Sequence, residues 1–154
     1  MRFRSRLAGW ILAALFLGAF VAVTTFAAPG GQLRFKAVLV WATDAEESPN
    51  PNHKPADEEV RNALAHLPLK WKNYFVVTNV PITISSGGNT ESTLSQHCKV
   101  SLKDIDGKHV EVGLIGKGQP VLKRTQPLPR GETLVLGGPA PESTAWLVLL
   151  KRVE

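Results

Sequence analysis

The five residues Gln96 to Val100, QHCKV, place the chain's one cysteine next to a histidine. A thiol beside an imidazole is the pairing of a nucleophile with its base, and the same two residue types make half of a zinc ligand set. Both chemistries need the thiolate, and both need the two side chains to converge. The element that carries them decides whether they do. Leu94 to Lys103, LSQHCKVSLK, sets Leu94, Gln96, Cys98, Val100 and Leu102 against Ser95, His97, Lys99, Ser101 and Lys103. Successive side chains of a strand point to opposite faces, so the alternation predicts a continuous strand with Cys98 in the core and His97 outside. A thiol in an apolar layer has its pKa raised, which suppresses the thiolate.

The following segment, DIDGKHVEVGL, completes a hairpin. An odd loop is needed to keep Leu102 and Val110 on one face, and Ile105-Asp106-Gly107 supplies three residues with the glycine in the left-handed position. That register predicts Leu102 opposite Val110, Val100 opposite Val112 and Cys98 opposite Leu114. Lys103 then faces His109, and Ser101 faces Glu111. Along this face His97 and His109 lie too far apart to share one metal ion.

Other residues with chemical capacity are Asp44, Glu46, Glu47 and His53, in the Pro- and Asn-rich loop DAEESPNPNHKPAD. They are the candidate metal ligands, weighed against a solvated acidic loop, because calcium loops need oxygens at defined short intervals with a glycine at the sharp turn. Gly87-Gly88, Gly116-Lys117-Gly118 and Gly137-Gly138 do not sit between a strand and a helix, so they predict turns rather than phosphate cradles. Trp41, Trp71, Trp146, Phe35, Tyr74 and Phe75 lie in strand-like runs and suit a core, with Trp71 and Tyr74 the candidates for a surface that binds a ligand. Lys99, Lys103, Lys108 and His109 make the outer face of the hairpin mildly basic, a further candidate surface. His66, near a helix end, is a favourable charge there. No catalytic set, metal site or cofactor is predicted.

The elements that position these residues follow from period and punctuation. GQLRFKAVLVWAT reads as a strand running into the core. In KPADEEVRNALAHLP, Pro55 comes early, Asp57, Glu58 and Glu59 occupy the first turn, and Val60, Ala63, Leu64 and Leu67 form an apolar stripe; this is one short amphipathic helix that covers an edge or end of a sheet. From Lys70 onward KWKNYFVV, PITIS, TLSQHCKVSLK, KHVEVGLIG, PVLKRTQ, ETLVLGG and TAWLVLLKRV are strand-like segments separated by turns. The fold class is therefore mainly β, an antiparallel sandwich or small barrel of about seven strands with one helix. The last segment, apolar from Ala145 to Leu150, predicts a strand buried on both faces.

The N-terminus states a destination. Arg2, Arg4 and Arg6 precede an uncharged stretch from Leu7 to Ala28, with Thr25 and Ala27 as small residues before a cut after Ala27. That is a signal peptide over residues 1–27, or, if uncleaved, a helical anchor through residues 7–28. In both cases residues 28–154, one β-rich domain, end up across the membrane. Removing the three arginines lowers the formal net charge from +5 to +2, so the basic balance gives no ground for nucleic-acid binding. With one cysteine there is no internal disulfide, and the fold rests on packing.

Taken together, KWKNYFVV, GKHVEV, LPRGETLVLGG and TAWLVLL resemble short exported bacterial β-rich proteins over Leu33 to Leu150. The resemblance implies fold and compartment, and brings no site residues with it. The expectation is a non-enzymatic binding or accessory module in the periplasm or secreted, with another envelope protein as partner. The alternatives are a small hydrolase or metal-dependent enzyme using the 44–57 loop, and a carbohydrate- or lipid-binding domain.

Overall fold

The computed structural model describes residues 31–140 and 143–154. The signal peptide or anchor helix and its cleavage position lie outside the described residues. Among the described residues nine strands and one helix run in the order β1 (Gln32–Thr43), β2 (Lys54–Pro55), α1 (Glu58–Ala65), β3 (Asn73–Ser85), β4 (Asn89–Ser95), β5 (Cys98–Asp104), β6 (His109–Gly116), β7 (Gln119–Pro127), β8 (Thr133–Pro139) and β9 (Ala145–Arg152). They form two antiparallel sheets, ordered β2-β3-β1-β9-β8 and β4-β5-β6-β7.

The sandwich core follows from alternation. Leu33, Phe35, Ala37 and Leu39 of β1, with Val148 and Leu150 of β9, meet Val100 and Leu102 of β5 and Val110, Val112 and Leu114 of β6. The larger sheet is apolar on its other face as well. There Val38, Val40 and Ala42 of β1 and Leu147 and Leu149 of β9 pack against Val60 and Leu64 of α1. Strand β9, between β1 and β8, is buried on both faces, which is why its sequence does not alternate.

The helix therefore covers a sheet face, where the sequence suggested an edge or end. Asp57 caps it, accepting from the Val60 N–H at 2.9 Å. It stops at Ala65, so Leu67, predicted as part of the stripe, is exposed beyond its end. Glu59 anchors it, reaching Lys36 of β1 at 2.6 Å and Lys151 of β9 at 2.7 Å.

Two strand boundaries differ from the sequence reading. KWKNYFVV and PITIS form parts of one strand, β3, despite Pro81. Beside Pro81 the sheet continues only on the β1 side, because β2 pairs just Val76 and Phe75, so no ladder hydrogen bond is lost. Conversely, LSQHCKVSLK is two strands, broken by a tight turn at Gln96-His97 between β4 and β5. Both boundaries are set by backbone pairing, to which side-chain alternation is blind.

The β5–β6 register also differs, by two residues. Leu102 stands opposite Val112, Val100 opposite Leu114 and Cys98 opposite Gly116, while Lys103 faces Glu111 and Ser101 faces Gly113. An even slip leaves every side chain on its predicted face. The cause is Asp104, only 2 % exposed, whose carboxylate accepts from the Gly87 N–H at 2.8 Å and the Gly107 N–H at 2.7 Å. Keeping Asp104 in the ladder moves the turn onto Asp106-Gly107-Lys108, with Gly107 at φ +79°.

Among the described residues no helix is long and apolar enough to cross a membrane.

Candidate functional site

The sandwich has two poles. At one, the described chain begins at Gly31, the Gly107 turn closes, and Glu154 returns beside Arg34. At the other, Trp41 lies opposite Trp146, roughly 30 Å from Gln32 at ~3.3 Å per residue. The β4–β5 and β6–β7 turns come to this second pole too, with Cys98 paired to both Ser95 and Gly116.

One rung of the larger sheet is aromatic here. Phe75 of β3, Trp41 of β1 and Trp146 of β9 are successive register partners, and Gly138 of β8 follows. The Trp41 and Phe75 rings lie 6.2 Å apart, tilted by 34°. Phe75 is buried, Trp41 half-buried beneath His53, and Trp146 is 36 % exposed.

Trp146 forms one wall of a cleft of about 240 Å³ that opens between the sheets at this pole. The facing wall is Val121, the extra residue of a β-bulge: Leu122 pairs with Leu114 and Pro120 with Ile115, leaving Val121 without a partner. Bulges re-aim side chains, and Val121 is 56 % exposed over the cleft. Cys98, Gly116 and Leu114 line it between these walls, with Gly138 and Ala140 at the far lip. Lys117, at φ 50°, and His97 stand on the rim in the two hairpin turns, where the Lys117 N–H donates to the His97 carbonyl at 2.8 Å.

Cys98 thus faces inward as predicted, but its position at the end of the sandwich leaves it half-buried, packed against the core on one side and the cleft on the other. Burial raises its pKa above the ordinary thiol value. His97 is exposed in the turn, its N–H donating to the Ser95 hydroxyl. Neighbours in sequence, the two side chains sit in different environments, the thiol half-buried and the imidazole exposed.

The acidic loop does not gather. Asp44 accepts from the Lys72 N–H at 3.1 Å, His53 Nδ1 lies 2.7 Å from the Ser48 hydroxyl, and Glu46 and Glu47 are exposed. His66 caps the end of α1. Among the described residues no three His, Cys, Asp or Glu side chains are placed to hold a metal ion.

Trp71 and Tyr74 do not form an exposed row. The Trp71 indole N–H donates to the Ser143 carbonyl, the Tyr74 hydroxyl donates to the Trp71 carbonyl at 3.0 Å, and both rings pack beside the helix-side core. Burial, then the charge of Asp44, pushes the Tyr74 hydroxyl up. The basic face is partly neutralised: Lys99 pairs with Glu91 at 2.9 Å, His109 with Asp106 at 2.7 Å, and Glu111, opposite Lys103, with Lys123 at 3.0 Å. Hydrogen bonds from the His109 backbone and ring and the Lys108 N–H hold Asp106 at about 2.

Sequence reasoning placed Trp146 among the core aromatics and did not single out Val121. The signals available were the Gly116-Lys117-Gly118 turn and the glycines of LGG, which leave space beside large apolar side chains.

Compared with protein-family models, with curated proteins and with solved structures, the chain finds no match.

Proposed function

We propose that this chain is a non-enzymatic binding module that acts outside the bacterial cytoplasmic membrane, as an accessory to a larger envelope assembly. The observation that carries the reading is the apolar cleft between Trp146 and Val121, at the pole opposite Gly31. Two of the few exposed large apolar side chains among the described residues line it, one from each sheet. We read this pair, with the lining between them, as a contact surface. If residues 7–28 tether the domain, the cleft points away from the tether and toward a partner.

The rival reading, a hydrolase or metal-dependent enzyme built on the 44–57 loop, needs two or more of Asp44, Glu46, Glu47, His53 and His66 to converge, and Asp44 and His53 do not. Each is engaged separately, with Lys72 and Ser48. A ligand-binding reading gains specific support from the cleft lining, which suits an apolar ligand better than a sugar. Sugars need several convergent hydrogen-bonding groups.

The test uses the full chain expressed in bacteria with a photo-crosslinking residue at position 121. The expected result is a reproducible crosslinked partner in the envelope fraction, lost with Trp146→Ala and absent when the crosslinker is moved to position 111. Equal crosslinking from positions 121 and 111 overturns the reading.

A further inference from the structure

We propose that the Trp146–Val121 cleft binds a single hydrocarbon chain bearing an anionic head, a free medium-chain fatty acid, with the chain over the Cys98–Gly116 pair and the carboxylate at Lys117 and His97. This rests on the binding-module reading and names the ligand class.

Three observations carry it. The cleft, about 240 Å³, is smaller than the ~300 Å³ at which sites for drug-sized ligands begin, so it limits the ligand to a small one such as a single short hydrocarbon chain. Apart from Ser95, whose hydroxyl accepts from the His97 N–H, its walls and floor are apolar, and two glycines keep it open. A Cβ on Gly138 would meet nothing within 4 Å, and one on Gly116 would meet only Val121 Cγ2 at 3.0 Å. The rim is the third observation. Lys117 and His97 are the only ionisable lining residues besides the thiol, no acid lines the cleft, and among the described residues Lys117 has no acidic partner. An anion is the complementary charge. If residues 7–28 tether the domain, the opening, at the pole away from Gly31, faces away from the bilayer, and the ligand is then a free amphiphile rather than a lipid held in the membrane.

The one thiol in the chain lies at the site and reports occupancy. Both sheets, the helix and both apolar clusters are built within residues 32–152, so residues 28–154 carry the whole described fold and can be used without detergent. Alkylation of Cys98 by iodoacetamide is followed against decanoate below its micelle concentration. Decanoate is expected to slow labelling saturably, about fivefold or more. Octanoate, two methylenes shorter, should need about tenfold more ligand for the same protection. Decanol should need several-fold more than decanoate, a difference that Lys117→Glu erases. Val121→Asp, at an exposed bulge, should keep the melting temperature and lose the protection.

Protection that survives Val121→Asp, or none at all, overturns the ligand assignment. If decanoate fails while position 121 still crosslinks a protein partner, the module reading stands and that protein's apolar side chain is the occupant. If both fail, both fall.

Discussion

Cys98 stands directly opposite Gly116, two rungs beyond the buried Val100–Leu114 pair and on the same face, so the thiol sits where the core ends and the cleft begins. A half-buried thiol with a raised pKa is reachable without unfolding, yet slow. Labelling of the free protein should go to completion under native conditions at a rate below that of a free cysteine, with a pH midpoint above the usual thiol value. Cys98→Ala should cost about 1 kcal/mol or less, because only part of the side chain leaves a packed site. Urea titration measures it.

The second prediction concerns the clamp between α1 and the sheet. Lys36 and Lys151 are register partners on β1 and β9, and both reach Glu59. Hydrogen bonds from Lys151, then Lys36, hold the Glu59 carboxyl at about 2, below its ordinary 4.5. A depressed folded-state pKa stabilises fully above the unfolded value and is lost as pH falls through the folded one. The stability gap between the native protein and Glu59→Gln should therefore be constant above about pH 5 and close between pH 4.5 and 2. Because Glu59 is half exposed, solvent screening keeps the gap to about 0.5–1 kcal/mol. Thermal melts of both proteins across this range decide it.

Asp104 joins two turns that are distant in sequence, Ser86–Gly88 and Asp106–Lys108. Asp104→Ala strands the Gly87 and Gly107 N–H groups and is expected to cost about 2–3 kcal/mol. Asp104→Asn, which retains one accepting oxygen, should cost less. Equal losses in the two variants, read by urea denaturation, would refute the capping role.

Adjacent glycines on β8 should behave oppositely. A Cβ on Gly137 would lie 2.6 Å from both the Trp146 carbonyl oxygen and Leu147 Cδ2, whereas one on Gly138 has open space. Gly137→Ala should cost about 1–3 kcal/mol through overpacking against backbone, and Gly138→Ala should be near neutral. Calorimetric melting temperatures of the two variants provide the comparison.

Much of this fold was legible because side-chain alternation is a local property. Cys98, Val100 and Leu102 face inward, His97 and Lys99 do not, and α1 lies where its cap and apolar spacing put it. The same rule misjudged lengths, since alternation passes unbroken through Gln96-His97, where the chain reverses. Trp71 and Tyr74 looked available for a ligand for a similar reason: their partners, the Ser143 carbonyl and the helix-side core, come from distant segments.

By itself the sequence determined which side chains share a face, where the helix begins, and that one cysteine gives no covalent staple. The tertiary structure decided the register, because the buried carboxylate of Asp104 must satisfy two turns at once and a two-residue slip changes partners without changing faces. It also decided the site. A cleft is the space between elements, and Trp146 and Val121, 25 positions apart on different sheets, become its walls only when the sheets pack and a bulge turns one of them inward.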